Sequence, residues 1–156
     1  MDPRKRYLKG DGPIASPIEI HPFQVDDAPA LRSIYWEARR ATFSWVEPTS
    51  LALEDFDRDT QGERIWVAVC NSQTVGFLSV WEAENFIHTL FVHPAHGRRG
   101  VGSALLRQCL PQIGRPAALK CSIHNHAALT FYDAHGWQRV EQAIGPDGPY
   151  YRLQLE

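Results

Sequence analysis

From Ile18 to Ile20 the chain alternates apolar, polar, apolar, the period of a short strand with one face on a core. Asp26 or Asp27 then stands where a helix cap belongs, and Leu31, Ile34, Tyr35, Ala38 and Thr42 follow at helical spacing. Pro48 breaks the chain, and Ser50 opens a second, shorter helix to about Thr60 with Leu51 and Phe56 turned inward. Ile65 to Cys70 is a continuous β-rich apolar run. A polar turn at Asn71-Ser72-Gln73 separates it from Val75 to Trp81, and Phe86 to Val92 follows, so the three runs predict an antiparallel meander.

The pattern changes at His93, where a polar, glycine-rich stretch through Ser103 runs into Ala104, Leu105, Leu106, Cys109 and Leu110 at helical spacing. Pro111, Gly114 and Pro116 end that helix. Ala118 to Ile123 predicts the next strand, and Ala127 to Ala134 a helix with Gly136 at its C-terminal cap. Trp137 to Val140 and Tyr150 to Leu155 predict two closing strands. Strands and helices in this order indicate a mixed α/β (α+β) sheet with helices on its faces.

Composition sharpens this picture by exclusion. The 156 residues suit one core, and 44% apolar with 22% charged residues is an ordinary globular balance. Residues 1–17 hold three prolines and two glycines and read as an N-terminal arm, leaving 18–156 as a single domain. An arm of this kind leaves room for a homodimer in which it is exchanged between protomers. The run Ile65 to Cys70 is the longest apolar stretch, far short of the ~20 residues of a membrane span. No apolar segment follows the basic residues at the start of the chain, so the expectation is a cytoplasmic protein without a membrane partner. Sixteen Lys and Arg against 18 Asp and Glu, a net charge of −2, give no footprint for nucleic acid. Cys70, Cys109 and Cys121 lack metal or disulfide spacing and read as reduced thiols. His93, His96, His124 and His126 do not form the i, i+4 pair of a helical zinc site, so no metal is expected.

The strongest chemical signal is strand, glycine loop, helix across Phe86 to Leu110. Gly97, Gly100 and Gly102 allow the main chain to approach a ligand closely, and the loop delivers its amides to a helix N-terminus that favours an anion. Arg98 and Arg99 add positive charge at the same edge. Glycines also serve simply to turn a chain between strand and helix. Neither the P-loop pattern nor the dinucleotide fingerprint is present.

The spacing resembles motif A of the GNAT superfamily of acyl-CoA-dependent N-acetyltransferases, [QR]-x-x-G-x-[GA] after a strand ending in V-x-P. The matching residues are Leu90-Phe91-Val92-His93-Pro94 and then Gly100-Val101-Gly102-Ser103-Ala104-Leu105-Leu106. Asn125 to Ala128, Phe131-Tyr132 and His135-Gly136-Trp137 resemble the family's second signature, N-x-x-A followed by F-Y-x-x-x-G-[FW]. The resemblance spans about Ile18 to Leu155. It implies a mostly antiparallel central sheet of six to seven strands, flanked by about four helices and splayed between the fourth and fifth strands. One departure stands out: Gly97 occupies the position of the usual Gln or Arg, leaving Arg98 as the side chain able to compensate.

The same resemblance implies acetyl-CoA as co-substrate, lying between Phe86 to Val92 and Ala118 to Ile123, and an amine as acceptor. Backbone groups from Leu90 through Phe91 to Val92 would bond the pantetheine arm, with Asn125 adding a side-chain bond. Amides of Arg98, Arg99, Gly100, Val101, Gly102 and Ser103 would hold the diphosphate. Acyl transfer to an amine of pKa near ~10 requires removal of a proton before attack, and the departing thiolate needs one back. By similarity to the family, Tyr132 is the acid. His88 interrupts an apolar strand beside the cleft and has an ordinary pKa near working pH, so it is the first choice of base. Glu82 and Glu84, acting through water, are the alternatives. Phe43, Trp45 and Glu47 are candidates for the acceptor pocket. No cysteine falls in a motif position, which favours direct attack over a covalent enzyme intermediate. The other class of function is a non-catalytic acyl-CoA or nucleotide sensor, which would need the loop but neither Tyr132 nor His88.

Overall fold

The computed structural model describes residues 17–44 and 46–156, with Pro48 described for its main chain only. The arm expected over residues 1–17 therefore lies almost wholly outside the described residues. β1 (Ile18–Pro22) leads into α1 (Ala28–Thr42), and α2 is a short helix at Asp55–Asp59. The meander follows as β2 (Arg64–Cys70), β3 (Gln73–Trp81) and β4 (Phe86–Val92). The glycine loop then enters α3 (Val101–Cys109), followed by β5 (Ala117–Ser122), α4 (His126–Ala134), β6 (Gln138–Gly145) and β7 (Gly148–Leu155). The strand order across the sheet is β1-β2-β3-β4-β5-β7-β6, antiparallel except where β4 meets β5.

Both faces of this sheet are covered, which explains the unbroken apolar run in β2. Ile65 and Val67 pack under α1 with Leu31, Ile34, Phe56 and Phe77, whereas Trp66 and Ala68 face α3 with Leu78, Leu105 and Leu106. A strand buried on both faces cannot show alternation. α1 buries the expected Leu31, Ile34, Tyr35 and Ala38, but its stripe continues through Arg39 rather than Thr42, which is exposed. Asp27 does precede α1, yet its carboxylate accepts from the Gln24 amide at 2.8 Å instead of capping the helix.

Two expected elements differ. The helix predicted from Ser50 to Thr60 shrinks to a 3₁₀ turn at Pro48–Ser50 and the five residues of α2. The Ser50 hydroxyl bonds back to the Glu47 carbonyl at 2.7 Å, while the Asp55 carboxylate accepts from the Ala52 amide at 2.9 Å, so side chains compete for the groups a helix would use. β6 runs on to Gly145, beyond the predicted Val140. It is an edge strand, exposed over most of its length, with Ile144 83% exposed.

The decisive irregularity lies between β4 and β5. Their only ladder pair is Phe86 with Ala118, reinforced by Ala118 N–H donating to the Asn85 carbonyl at 3.1 Å. Gly114 N–H donates to the Asn85 side chain at 2.9 Å, and a Cβ on Gly114 would come within 2.9 Å of that amide, so a side chain there would have to push the Asn85 amide aside. Beyond this closed end the strands part. On the other side of β4, Ser79 pairs with Thr89 and Val80 with Ile87, which leaves His88 as the extra residue of a β-bulge. A bulge bends its strand and re-aims a side chain, and this one falls two residues past the single β4–β5 pair.

Candidate active site

At the open end of the splay, β4 passes through a 3₁₀ turn at Pro94–His96 into the glycine loop. His93 Nδ1 accepts from the Ala95 amide at 3.0 Å, so in the neutral ring the proton is on Nε2, which faces Glu37 at 3.2 Å. His96 is held below the ordinary histidine pKa by burial, then by Arg99 and His93. The loop next takes two left-handed residues, Arg98 at φ 65° and Gly100 at φ 81°. Arg98 bears this conformation with a Cβ, a strain of the kind that concentrates at functional sites. The first helical bond from the loop is Ala104 N–H to the Gly100 carbonyl at 3.0 Å. The amides of Arg98 to Ser103 consequently have no main-chain acceptor among the described residues. Free amides at and just before the positive end of a helix favour an anion there. The helix is braced from α4: a Cβ on Gly102 would lie 3.4 Å from the Phe131 ring, and the Ser103 hydroxyl meets His135 Nε2 at 3.0 Å.

The splay continues inward as a cleft of about 910 Å³, walled by β4 on one side and by β5, α4 and the β6–β7 turn on the other. Asn125, Ala128 and Tyr132 reach it from α4. Asn125 caps that helix, its side-chain oxygen accepting from the Ala128 amide at 3.2 Å, so its NH₂ group is what remains for a ligand. Tyr132 is 8% exposed, packed edge-on to Trp137, and its hydroxyl has no protein partner among the described residues. Desolvation pushes its pKa well above the ordinary tyrosine value, with the Cys121 thiol adding to the shift. The phenol therefore stays protonated and has a proton to donate. Burial likewise pushes Cys121 up to about 11 and Cys109 to about 12, so neither thiol is a nucleophile near neutral pH.

α1, α2 and β4 form the other half of the cleft. Tyr35 donates to Asp59 at 2.7 Å, and burial followed by that bond raises the phenol's pKa. Arg39 lies over the Tyr35 ring, 3.8 Å from its centroid, and reaches Asp55 at 3.2 Å. Burial alone would raise the Asp55 carboxyl, but the Ala52 amide, Arg39 and Arg58 outweigh it and hold the group below the usual range. His88 lines the cleft from the bulge, its Nδ1 2.7 Å from Glu63 Oε2. The hydrogen bond to Glu63 is the largest of the effects that raise the His88 pKa above the ordinary histidine value.

The acetyltransferase (GNAT) family model matches residues 28–137. The chain belongs to the GNAT family. Among similar GNAT proteins, the uncharacterized N-acetyltransferase YafP of Escherichia coli (strain K12) is 34% identical over 132 residues, covering 80% of this chain and 84% of YafP. The peptidyl-lysine N-acetyltransferase YiaC of the same organism is 35% identical over 78 residues, covering 50% of this chain and 52% of YiaC. In structure, the PaiA N-acetyltransferase from Thermoplasma acidophilum, solved in complex with coenzyme A, aligns with a TM-score of 0.74 over 90% of this chain and 99% of that one at 16% identity. The fold expected from the sequence, six to seven strands with about four helices and a parting between the fourth and fifth strands, is found here with seven strands and four helices, and it is the GNAT fold. This chain is thus a member of the acetyltransferase (GNAT) family, and no described helix is long and apolar enough to cross a membrane.

Of the predicted site residues of this GNAT domain, the structure brings Leu90, Phe91, His88, Asn125 and Tyr132 to the cleft, with Val92 and the loop from Gly97 to Ser103 just beyond its open end. Phe43 also lines it, edge-on to Phe91 at 6.1 Å. Among the described residues, Glu84, Glu82 and Glu47 do not join them. Glu84 sits in the exposed turn before β4, at the closed end of the splay, and Glu82 beside it pairs with Arg64 at 3.0 Å. Glu47 is exposed outside the lining, and Trp45 lies outside the described residues. The sequence reading missed Tyr35, Asp55, Asp59 and Glu63 as site residues. Arg39 continues the apolar face of α1, and arginine is rarely buried without a partner.

Proposed function

We propose that this protein transfers the acetyl group of acetyl-CoA to a primary amine of a small molecule or peptide, by direct attack. The observation that carries the reading is the pairing of a parted β4–β5 edge with unsatisfied loop amides at its mouth. The Arg98 to Ser103 amides hold the diphosphate, and the unpaired edge of β4 from Leu90 to Val92 takes the amide-bearing pantetheine arm as an added strand. Asn125 donates its NH₂ group to that arm. The thioester carbonyl supplies the electrophile.

His88 takes a proton from the acceptor ammonium, and the freed nitrogen lone pair forms the new C–N bond. Tyr132 gives its hydroxyl proton to the sulfur as the C–S bond breaks, the second proton shed by the acylated nitrogen returns to the Tyr132 oxygen, and His88 passes its own proton to solvent. The products are an N-acetyl amine and a free thiol. The similarity to YiaC, a peptidyl-lysine N-acetyltransferase, supports lysine side chains among the acceptors to be tried first. Phe43 and Phe91 give the acceptor side an aromatic wall. Free-thiol release tests the acid: Tyr132→Phe lowers kcat by ~10-fold or more with little change in CoA affinity. An unchanged kcat removes Tyr132 from the mechanism. Acetyl-CoA at ~100 times its Kd should stabilise the fold by about 2.7 kcal/mol in a thermal melt, and no shift would sink the ligand assignment.

A further inference from the structure

We infer that Glu63 is a positioning residue for acetyl transfer, a buried carboxylate that holds the His88 ring in place on the β4 bulge with Nε2 left to work on the acceptor. The inference rests on the reading of His88 as base. Three observations support it. The Glu63 side chain is only 8% exposed, although it comes from the polar turn that precedes β2. Its Oε2 lies 2.7 Å from His88 Nδ1, the one ion pair Glu63 makes among the described residues. Its other oxygen, Oε1, is buried with no hydrogen-bond partner among them.

A carboxylate in that state is poorly solvated, and taking it out of water is costly unless a partner compensates. Surface ion pairs need no such burial, so an ordinary tether between β2 and β4 would not require this arrangement. The partner it has is a residue that the bulge has turned out of the ladder, where nothing else in the β-pairing fixes its direction. With Nδ1 committed to Glu63, a neutral ring carries its proton there and leaves the Nε2 lone pair for catalysis. Carboxylates that orient a histidine through Nδ1 act in this way in general acid–base sites. Other groups facing the ring are the Asp59 carboxylate and the Asp59 carbonyl, which accepts a hydrogen bond from the charged ring and releases it when the ring is neutral, both at the end of α2, and the Phe86 ring on β4 itself, 6.4 Å away.

The test is ¹⁵N NMR of histidine-labelled protein, read alongside pH-dependent acetyl transfer to an Nα-blocked lysine amide. In the wild type the neutral His88 ring should be protonated at Nδ1. Glu63→Met, close in volume and without oxygens to leave unpaired, should return it to the Nε2–H form and move its titration midpoint to lower pH. Glu63→Gln, which can still accept from Nδ1, should lower the midpoint while keeping the tautomer. Both variants should shift the acid limb of kcat/KM with the NMR midpoint, and Glu63→Met should lower kcat at least ~10-fold with KM for acetyl-CoA unchanged. An unmoved His88 tautomer and midpoint in both variants overturns the inference. So does an NMR change unaccompanied by a change in kcat, which makes the pair merely structural. If His88→Ala keeps the acid limb, the base reading fails instead, and the NMR result still reports the Glu63 contact separately.

Discussion

Replacing Gly100 with alanine, with Gly97→Ala as its control, isolates one quantity in the anion loop. The two glycines are three residues apart and both exposed, yet their backbones differ: Gly100 sits at φ 81°, Gly97 at φ −66° and ψ 154°. An added Cβ meets nothing within 4 Å at Gly100 and only the Pro94 carbonyl, at 3.8 Å, at Gly97. Collision is therefore excluded at both. Each alanine reduces the freedom of the unfolded chain by the same amount, about 0.4–1 kcal/mol, and this cancels in the comparison. What remains is the left-handed penalty at Gly100, roughly 1–2 kcal/mol. For a domain of this size that separates the two melting temperatures by about 2–8 °C. Differential scanning calorimetry without ligand reads the stability half. Calorimetric titration with CoA reads the other half, where Gly100→Ala should weaken Kd by ~10-fold or more as the amides turn away, and Gly97→Ala should leave it unchanged. Equal melting temperatures for the two variants would falsify the strain argument, and equal affinities would remove the amide cradle from the ligand site.

Arg39→Ala leaves the Asp55 carboxylate with Arg58 and the Ala52 amide alone and should cost about 1–3 kcal/mol by chemical denaturation, more than loss of the exposed Arg32–Asp57 pair; similar small effects from both would contradict the burial of Arg39. Cys121→Ser should keep turnover, since the thiol is pushed up to about 11 and no covalent step is proposed; abolished activity with an intact fold would reopen a thiol route. The folded-state pKa of His88 is raised, so the stability from its pairing with Glu63 is fully present below the unfolded value of about 6.5 and disappears as pH climbs through the folded value. Melts of wild type and Glu63→Gln should accordingly differ most near pH 5.5 and converge toward pH 9, and a gap that widens with pH would refute the sign.

Elements whose burial is written in apolar spacing were legible in the chain, and so was the loop. Leu31, Ile34 and Ala38 announce the inner face of α1, and Gly100-x-Gly102 ahead of Leu105 and Leu106 announces the entry to α3. β6 was only half visible, because an edge strand exposed along most of its length has no apolar rhythm beyond Val140. The acceptor side was opaque for another reason. Glu63 meets His88 only through two successive registers, Arg64 opposite Val80 and Val80 opposite Ile87, and the bulge in the second could not be inferred from alternation. Arg39 and Asp55 are joined across a loop whose Ser50 and Asp55 side chains replace the helix that local spacing suggested.

The single bridge between Phe86 and Ala118 makes the sheet two rafts moored at one post. Each raft is laced within itself, β1 to β4 on one side and β5 to β7 on the other, while helices rather than hydrogen bonds span most of the gap. An unsated rim thus runs through the middle of the molecule instead of along its outer border, where charged or bulky side chains would ordinarily blunt it. A ligand laid into that seam completes the weave, so the empty protein should be the form most prone to slow hydrogen–deuterium swapping losses along β4 and β5, and saturation should silence exchange there before it does so anywhere else.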